Sequence, residues 1–196
     1  ERVLRVVGYQ SPERFKTILS YVTGKNYRTE SLPDYFARLS EKSARGNRSA
    51  GLKNDPLFTK PPYELDRSRF PASQPLLVIF EKAGCGECED FHTSVLASKE
   101  VRDALKHFEI VRFEAADNKT TIHAPGGNRV TPASWFKQTA FTRVPALLFF
   151  DEKGNEVLRT DALVLRQRMM NSLNYVLEGA YEKGWTYQRF ARSKAM

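Results

Sequence analysis

The chain has two cysteines, both in "AGCGECEDFH" (83–92), with Gly86 and Glu87 between Cys85 and Cys88. That spacing admits three chemistries: reversible thiol–disulfide exchange, half of a metal site, or a permanent staple. At the first turn of a helix, residues three apart bring their Cβ atoms to about 4 Å, close enough for a disulfide. The unpaired N–H groups and the dipole of the same helix end favour a thiolate. Cys85 is then the attacking thiol. Cys88, one turn inside and more protected, releases the mixed disulfide that the attack forms.

The other two chemistries have less behind them. A structural zinc site needs four ligands, commonly as two spaced pairs. Only His92, His107 and His123 are available to join the cysteines, and no two of them form such a pair. His92 lies one helical turn after Cys88, which leaves a mixed Cys/His site open. Otherwise His92 and His107 read as helix-surface residues and His123 as a hairpin residue. A staple would close a loop of about four residues, which gains little stability on the chain-entropy argument.

These residues need a scaffold, and the second half of the chain supplies a regular one. "LLVIFE" (76–81) reads as a buried strand that delivers the chain to the cysteines, where a helix should start and run to about Leu96. "SKEVRDALKHF" (98–108) continues or restarts that helix, and "EIVRFEA" (109–115) is the next strand. "TTIHAPGGNRVT" (120–131) has the Pro-Gly-Gly centre of a hairpin. Thr131 caps and Pro132 opens a helix; "RVPALLFFD" (143–151) and "EVLRT" (156–160) are antiparallel strands joined by "EKGN". Helices over about 165–178 and 185–193 close the chain. A parallel pair joined through a helix, then a hairpin and a covering helix, predicts a three-layer α/β sandwich around a mixed sheet. Phe15, Tyr21, Trp135, Phe149, Phe150 and Tyr175 are expected in or near the core. Trp135 and Phe136 have a second reading as the rim of a groove.

The first half is less regular. "VLRVV" (3–7) reads as a short strand. Ser11 and Pro12 then start a helix with Phe15, Ile18, Leu19 and Val22 on one face. A second helix is expected from Pro33 to about Ser43, with Tyr35 and Phe36 on its apolar side. The Gly, Pro and charge load of residues 43–75 marks a linker or an extended wrap. Residues 3–38 align with 157–192 at a constant offset of 154, with 11 identities in 36 positions. Average composition would give about two or three. The expected division is therefore 1–46, a strand–helix–helix segment repeating 157–192; 47–75, a linker; and 76–196, the main domain. The first segment resembles the tail of a preceding copy of that domain, with residues 12–23 ordered and packed in cis or by exchange between chains.

Composition narrows the function classes. The net charge of +8 divides as 14 Lys/Arg against 8 Asp/Glu in residues 1–75 and 17 against 15 thereafter. Such a surplus can attract nucleic acid, but the basic residues are scattered and no nucleic-acid motif accompanies them, so no nucleic-acid partner is expected. No apolar run approaches the roughly 20 residues that span a bilayer. The chain begins at Glu1 rather than Met, so a removed leader or upstream domain is expected, and any membrane contact would come through that leader.

Strand, "CGEC", helix and a later "RVP" leading into a hairpin resemble the thioredoxin family, over about residues 70–196. The "ALLFFDEKGNEVLR" run and the insertion before the second helix are most similar to the periplasmic SoxW-like thioredoxins. The resemblance implies a thioredoxin-like fold and thiol–disulfide exchange with protein or small-thiol partners. The carboxylates of Glu87, Glu89 and Asp90 beside the pair disfavour a thiolate, so the reducing direction is expected over the oxidising one. The resemblance also implies an electron-donor protein, an exported location, and no cofactor or metal. Cys85 would be the nucleophile and Cys88 the resolving thiol. Gly84, Gly86, Glu87, Val144 and Pro145 would contact substrate, with Pro145 cis and the Val144 backbone bonding the substrate strand. Gly84 stands where the family usually has Trp, and Gly86-Glu87 where it has Gly-Pro. Ile79 falls where cytoplasmic thioredoxins place a buried Asp, so Glu81, two residues on, is the substitute proton shuttle. The alternatives are a redox-inert binding module using the same groove, or a Cys/His metal protein.

Overall fold

In the computed structural model, which describes residues 3–4, 12–36, 38–39, 52, 54–161 and 164–194, strand β1 (Leu76–Glu81) is buried at every position. A strand covered on both faces needs no polar alternation, which is why "LLVIF" is an unbroken apolar run. After it come a short helix α3 (Gly86–Asp90), a π-helical stretch (Phe91–Leu96), α4 (Lys99–Leu105) and strand β2 (Glu109–Glu114). The hairpin strands β3 (Ile122–His123) and β4 (Arg129–Val130), helix α5 (Pro132–Gln138) and strands β5 (Ala146–Phe150) and β6 (Glu156–Thr160) follow. Helices α6 (Arg166–Leu177) and α7 (Tyr187–Ser193) end the order.

The main sheet runs β2-β1-β5-β6, with β1 and β2 parallel and the other two pairs antiparallel. Leu77, Ile79, Leu147 and Phe149 face the π-helical stretch, α4 and α6. Leu76, Val78, Phe80 and Leu148 face α5 and the hairpin, which forms as expected and adds Ile122. This is the thioredoxin-like mixed-sheet sandwich. Trp135 takes its core reading: only 7% exposed, it packs edge-on against Phe80 at 5.6 Å.

Residues 54–75 belong to this unit and are more than a linker. The Thr59 N–H donates to the Ile110 carbonyl at 2.8 Å, covering the outer edge of β2 that would otherwise stay open. Leu65 is fully buried among the β1 and β2 side chains. Arg67, also buried, donates to the Asp151 carbonyl at 2.8 Å and to the Glu109 carboxylate at 3.0 Å. Proline and charge made the segment look detached, while its scattered apolar residues lack the periodicity that signals burial. Leu65→Ala should cost about 2–5 kcal/mol in urea unfolding, the range for large-to-small core changes, whereas an exposed linker position would cost almost nothing.

The chain divides into two compact units, residues 1–50 and 51–196. In the first, α1 (Pro12–Thr23) leads through a 3-10 turn (Asn26–Arg28) to helix α2, residues 32–36. Residues 5–7 of the expected first strand, and 40–43 of the expected second helix, lie outside the described residues.

Candidate active site

The Cys85–Cys88 pair sits where β1 ends and α3 begins, and the turn there depends on Gly84. Its φ of +72° is left-handed, although an added Cβ would meet nothing within 4 Å. Backbone conformation, not space, keeps a side chain such as Trp out of this position. Cys85 is the N-cap of α3, and its sulfur accepts the Cys88 N–H at 3.1 Å. The two Sγ atoms are at disulfide distance, with Cα atoms 5.2 Å apart. Cys85 is half-buried and Cys88 is 4% exposed, the asymmetry expected of an attacking and a protected thiol.

Across from the pair, the Val144–Pro145 bond is cis, and the Val144 carbonyl lies 3.9 Å from Cys85 Sγ. The loop before it is tied down by Asp161, whose carboxylate accepts from the Thr142 N–H at 2.8 Å and hydroxyl at 3.0 Å. The Thr142 N–H holds the Asp161 carboxyl below its ordinary range, against the opposing effect of burial, and the Thr142 hydroxyl helps. Gly84, Gly86 and Glu87 are exposed around the sulfurs, and Val144 and Pro145 are half-buried. The predicted substrate-contacting residues therefore surround one half-open sulfur.

Residues 71–177, more than half of the chain, match the thioredoxin-like domain family. The chain belongs to that family. Its solved relatives in structure include a thioredoxin-fold protein from Helicobacter pylori, 17% identical, with a TM-score of 0.55 over 70% of this chain and 86% of that one. The C-terminal domain of DsbD from Neisseria meningitidis in its reduced form is 14% identical (TM-score 0.40, 54% and 83% covered). Thioredoxin O1 from Arabidopsis thaliana in its oxidised state is 16% identical (TM-score 0.36, 55% and 78% covered). At these identities the likeness is one of fold. No curated protein sequence matches the chain.

At the end of β1, this thioredoxin-like domain carries a buried charged cluster. Glu81 extends the Leu77–Ile79 face of β1 and is 2% exposed. Its carboxylate meets His92 Nε2 at 2.8 Å and Arg112 Nη1 at 3.4 Å. Arg112 is paired in register with Ile79 on the neighbouring strand, so it is the diagonal neighbour of Glu81 on the same face. Its guanidinium lies 4.3 Å over the Phe58 ring, and that ring stands edge-on to His92 at 5.8 Å. Nearby, Asp55 pairs with Arg102 at 2.8 Å. Burial pushes the Asp55 carboxyl up, but Arg102 and the Leu57 N–H outweigh it, and the result lies below the usual carboxylate range.

His92 was expected on the helix surface and instead turns inward onto Glu81. A π-helical stretch explains the turn: the Ala97 N–H donates to the His92 carbonyl at 3.0 Å, five residues back. The wider turn re-aims the side chains relative to a regular α-helix. Sequence reasoning missed Arg112 and Phe58 altogether. One signal was available for Arg112, a lone charge inside the apolar strand "EIVRFEA". Phe58 had none.

Proposed function

We propose that the protein is a thiol–disulfide oxidoreductase acting on protein or small-thiol disulfides. The observation that carries this is the half-open Cys85 sulfur at the helix cap, bonded to a buried Cys88 and facing the Val144 carbonyl. In the reduced state the Cys85 thiolate takes the same N–H bond from Cys88 and the same helix end, which lowers its pKa relative to a free thiol. It attacks one sulfur of a substrate disulfide. A Cys85–substrate disulfide forms, the substrate S–S bond breaks, and the released substrate thiolate takes up a proton. Cys88 then gives its proton to Glu81 and attacks Cys85 Sγ. The internal disulfide re-forms, the second substrate thiol leaves, and the protein has passed two electrons to substrate. The Val144 backbone and the Gly84, Gly86 and Glu87 surface hold the substrate chain beside Cys85. A separate electron-donor protein returns the pair to the thiol state.

Charge favours the reducing direction. Glu87 and Glu89 lie in the first turn of α3 and disfavour a thiolate at its cap, while the Glu81 carboxylate is held by Arg112 and His92. A thiolate that is only modestly stabilised leaves the disulfide relatively favoured, so the reduced protein gives up electrons readily. A potential of about −200 to −270 mV is expected in a glutathione titration; a value near the roughly −120 mV of a dedicated oxidant would reverse the direction. The "ALLFFDEKGNEVLR" run supports placing the protein beside the periplasmic SoxW-like thioredoxins, and with them in an exported compartment.

Cys88→Ser separates turnover from simple binding. With the resolving thiol gone, the reduced variant should accumulate a Cys85–substrate disulfide with insulin, seen as a mass adduct removed by dithiothreitol. A redox-inert binding module would form no adduct and would reduce no insulin in the unaltered protein.

A further inference from the structure

The N-terminal unit repeats α6, the following turn and α7 in geometry as well as in sequence. The Gly24 N–H donates to Ser20 at 2.9 Å as Glu178 does to Asn174 at 2.9 Å. Lys25 donates to Val22 at 3.1 Å as Gly179 does to Val176 at 3.0 Å, and Arg28 to Lys25 as Glu182 to Gly179, both at 3.1 Å. Each pair is separated by the same 154 residues. Lys25 holds a left-handed φ of 54° where its counterpart Gly179 holds 60°, although lysine is disfavoured there. The Tyr21 hydroxyl reaches the Glu30 carbonyl at 2.7 Å, and the Tyr175 hydroxyl reaches the Trp185 carbonyl at 2.8 Å. Past the turn the register slips by one residue. Tyr35 stacks on Tyr21 at 5.2 Å where Phe190 meets Tyr175 at 5.6 Å, so Tyr35 rather than Phe36 takes the place of Phe190.

The two copies differ in what covers them. Met169 and Leu173 of α6 are fully buried against the sheet. Their counterparts on α1, Phe15 and Leu19, are 50% and 48% exposed. The same helix face that closes a thioredoxin sheet in one copy stands open in the other. We propose that this face is the docking surface for a second thioredoxin-type sheet, carried by the polypeptide ahead of residue 1. Two observations choose this occupant. The equivalent sheet face in residues 51–196, and in any second copy of the chain, already holds its own α6. Moreover the repeat opens at "VLR" (3–5), the counterpart of "VLR" (157–159) at β6, and the strands that α6 covers precede β6 in the chain. Residues 3–38 would then be the closing segment of that preceding domain, and the role is separate from the cysteine chemistry.

The test compares residues 1–196 with the protein extended by the residues encoded before Glu1, each with and without Phe15→Asp/Leu19→Asp. Amide exchange over residues 16–23 should slow by about a hundredfold or more in the extended protein, and the double substitution should remove that protection. Insulin reduction by residues 1–196 should be unchanged by it. Equal exchange in the two lengths, or encoded residues that form no sheet, would overturn the proposal. So would a dimer of residues 1–196 in sedimentation equilibrium that the double substitution dissolves, since the face would then join two copies of this chain.

Discussion

Cys85→Ser should abolish insulin reduction, by at least about a thousandfold, in a protein whose fold and thermal midpoint remain close to those of the reduced parent. The nucleophile forms the bond on which every later step depends, so no other group shares the loss. A hydroxyl at the helix cap still accepts the Cys88 N–H, which now meets Cys85 Sγ at 3.1 Å, and serine is itself a favoured cap. The local structure therefore keeps its hydrogen bond while the chemistry goes. Burial adds a second readout. In the reduced parent, iodoacetamide should modify half-buried Cys85 before Cys88, which is 4% exposed. Mass mapping that found Cys88 modified first would exchange the two roles, and residual turnover in Cys85→Ser would remove Cys85 as the nucleophile.

Glu81→Leu should destabilise the domain by about 3–5 kcal/mol, the cost of removing one partner of a buried ion pair. Leucine matches the apolar face around it, so packing is not the cause. What is lost is the carboxylate that meets both the buried Arg112 guanidinium at 3.4 Å and His92 Nε2 at 2.8 Å, contacts that leucine cannot replace. The same account expects the Glu81→Leu/Arg112→Leu double variant to regain most of that loss, because two apolar side chains then replace both charges. A double variant as unstable as the sum of two independent losses would mean that the two groups do not offset one another. Catalysis has its own arm in Glu81→Gln, which keeps shape and hydrogen-bonding capacity but accepts no proton as a carboxylate does. Resolution of the mixed disulfide should slow by about a hundredfold, a usual size for losing a general base, while alkylation of Cys85 keeps its rate. Equal slowing of both would give Glu81 an electrostatic effect on the whole pair instead of a proton-accepting role toward Cys88.

Much of this molecule was legible before folding. The unbroken "LLVIF", the Cys-x-x-Cys after it, the Thr131–Pro132 helix start and the antiparallel run through "EKGN" are local signals, because strand, cap and turn preferences act over a few residues. They placed the strands of the main sheet, and the structure orders them as β2-β1-β5-β6. The internal repeat was legible too, since identical residues at one offset need no coordinates to be seen. Three things depended on the folded chain. Residues 54–75 became part of the domain because Arg67 meets partners 42 or more residues away and Leu65 is buried in the sheet's core, and such contacts leave no periodicity behind. His92 changed from surface to site because a π-helical stretch rotates it inward, and Arg112 joined it through a strand pairing with Ile79. Above all, sequence assigned the same apolar pattern to α1 and α6. Only packing distinguished them: α6 has a sheet beneath Met169 and Leu173, and α1 leaves Phe15 and Leu19 in the open. Hydrophobic pattern specifies which face of a helix is to be buried; the partner that buries it comes from tertiary structure.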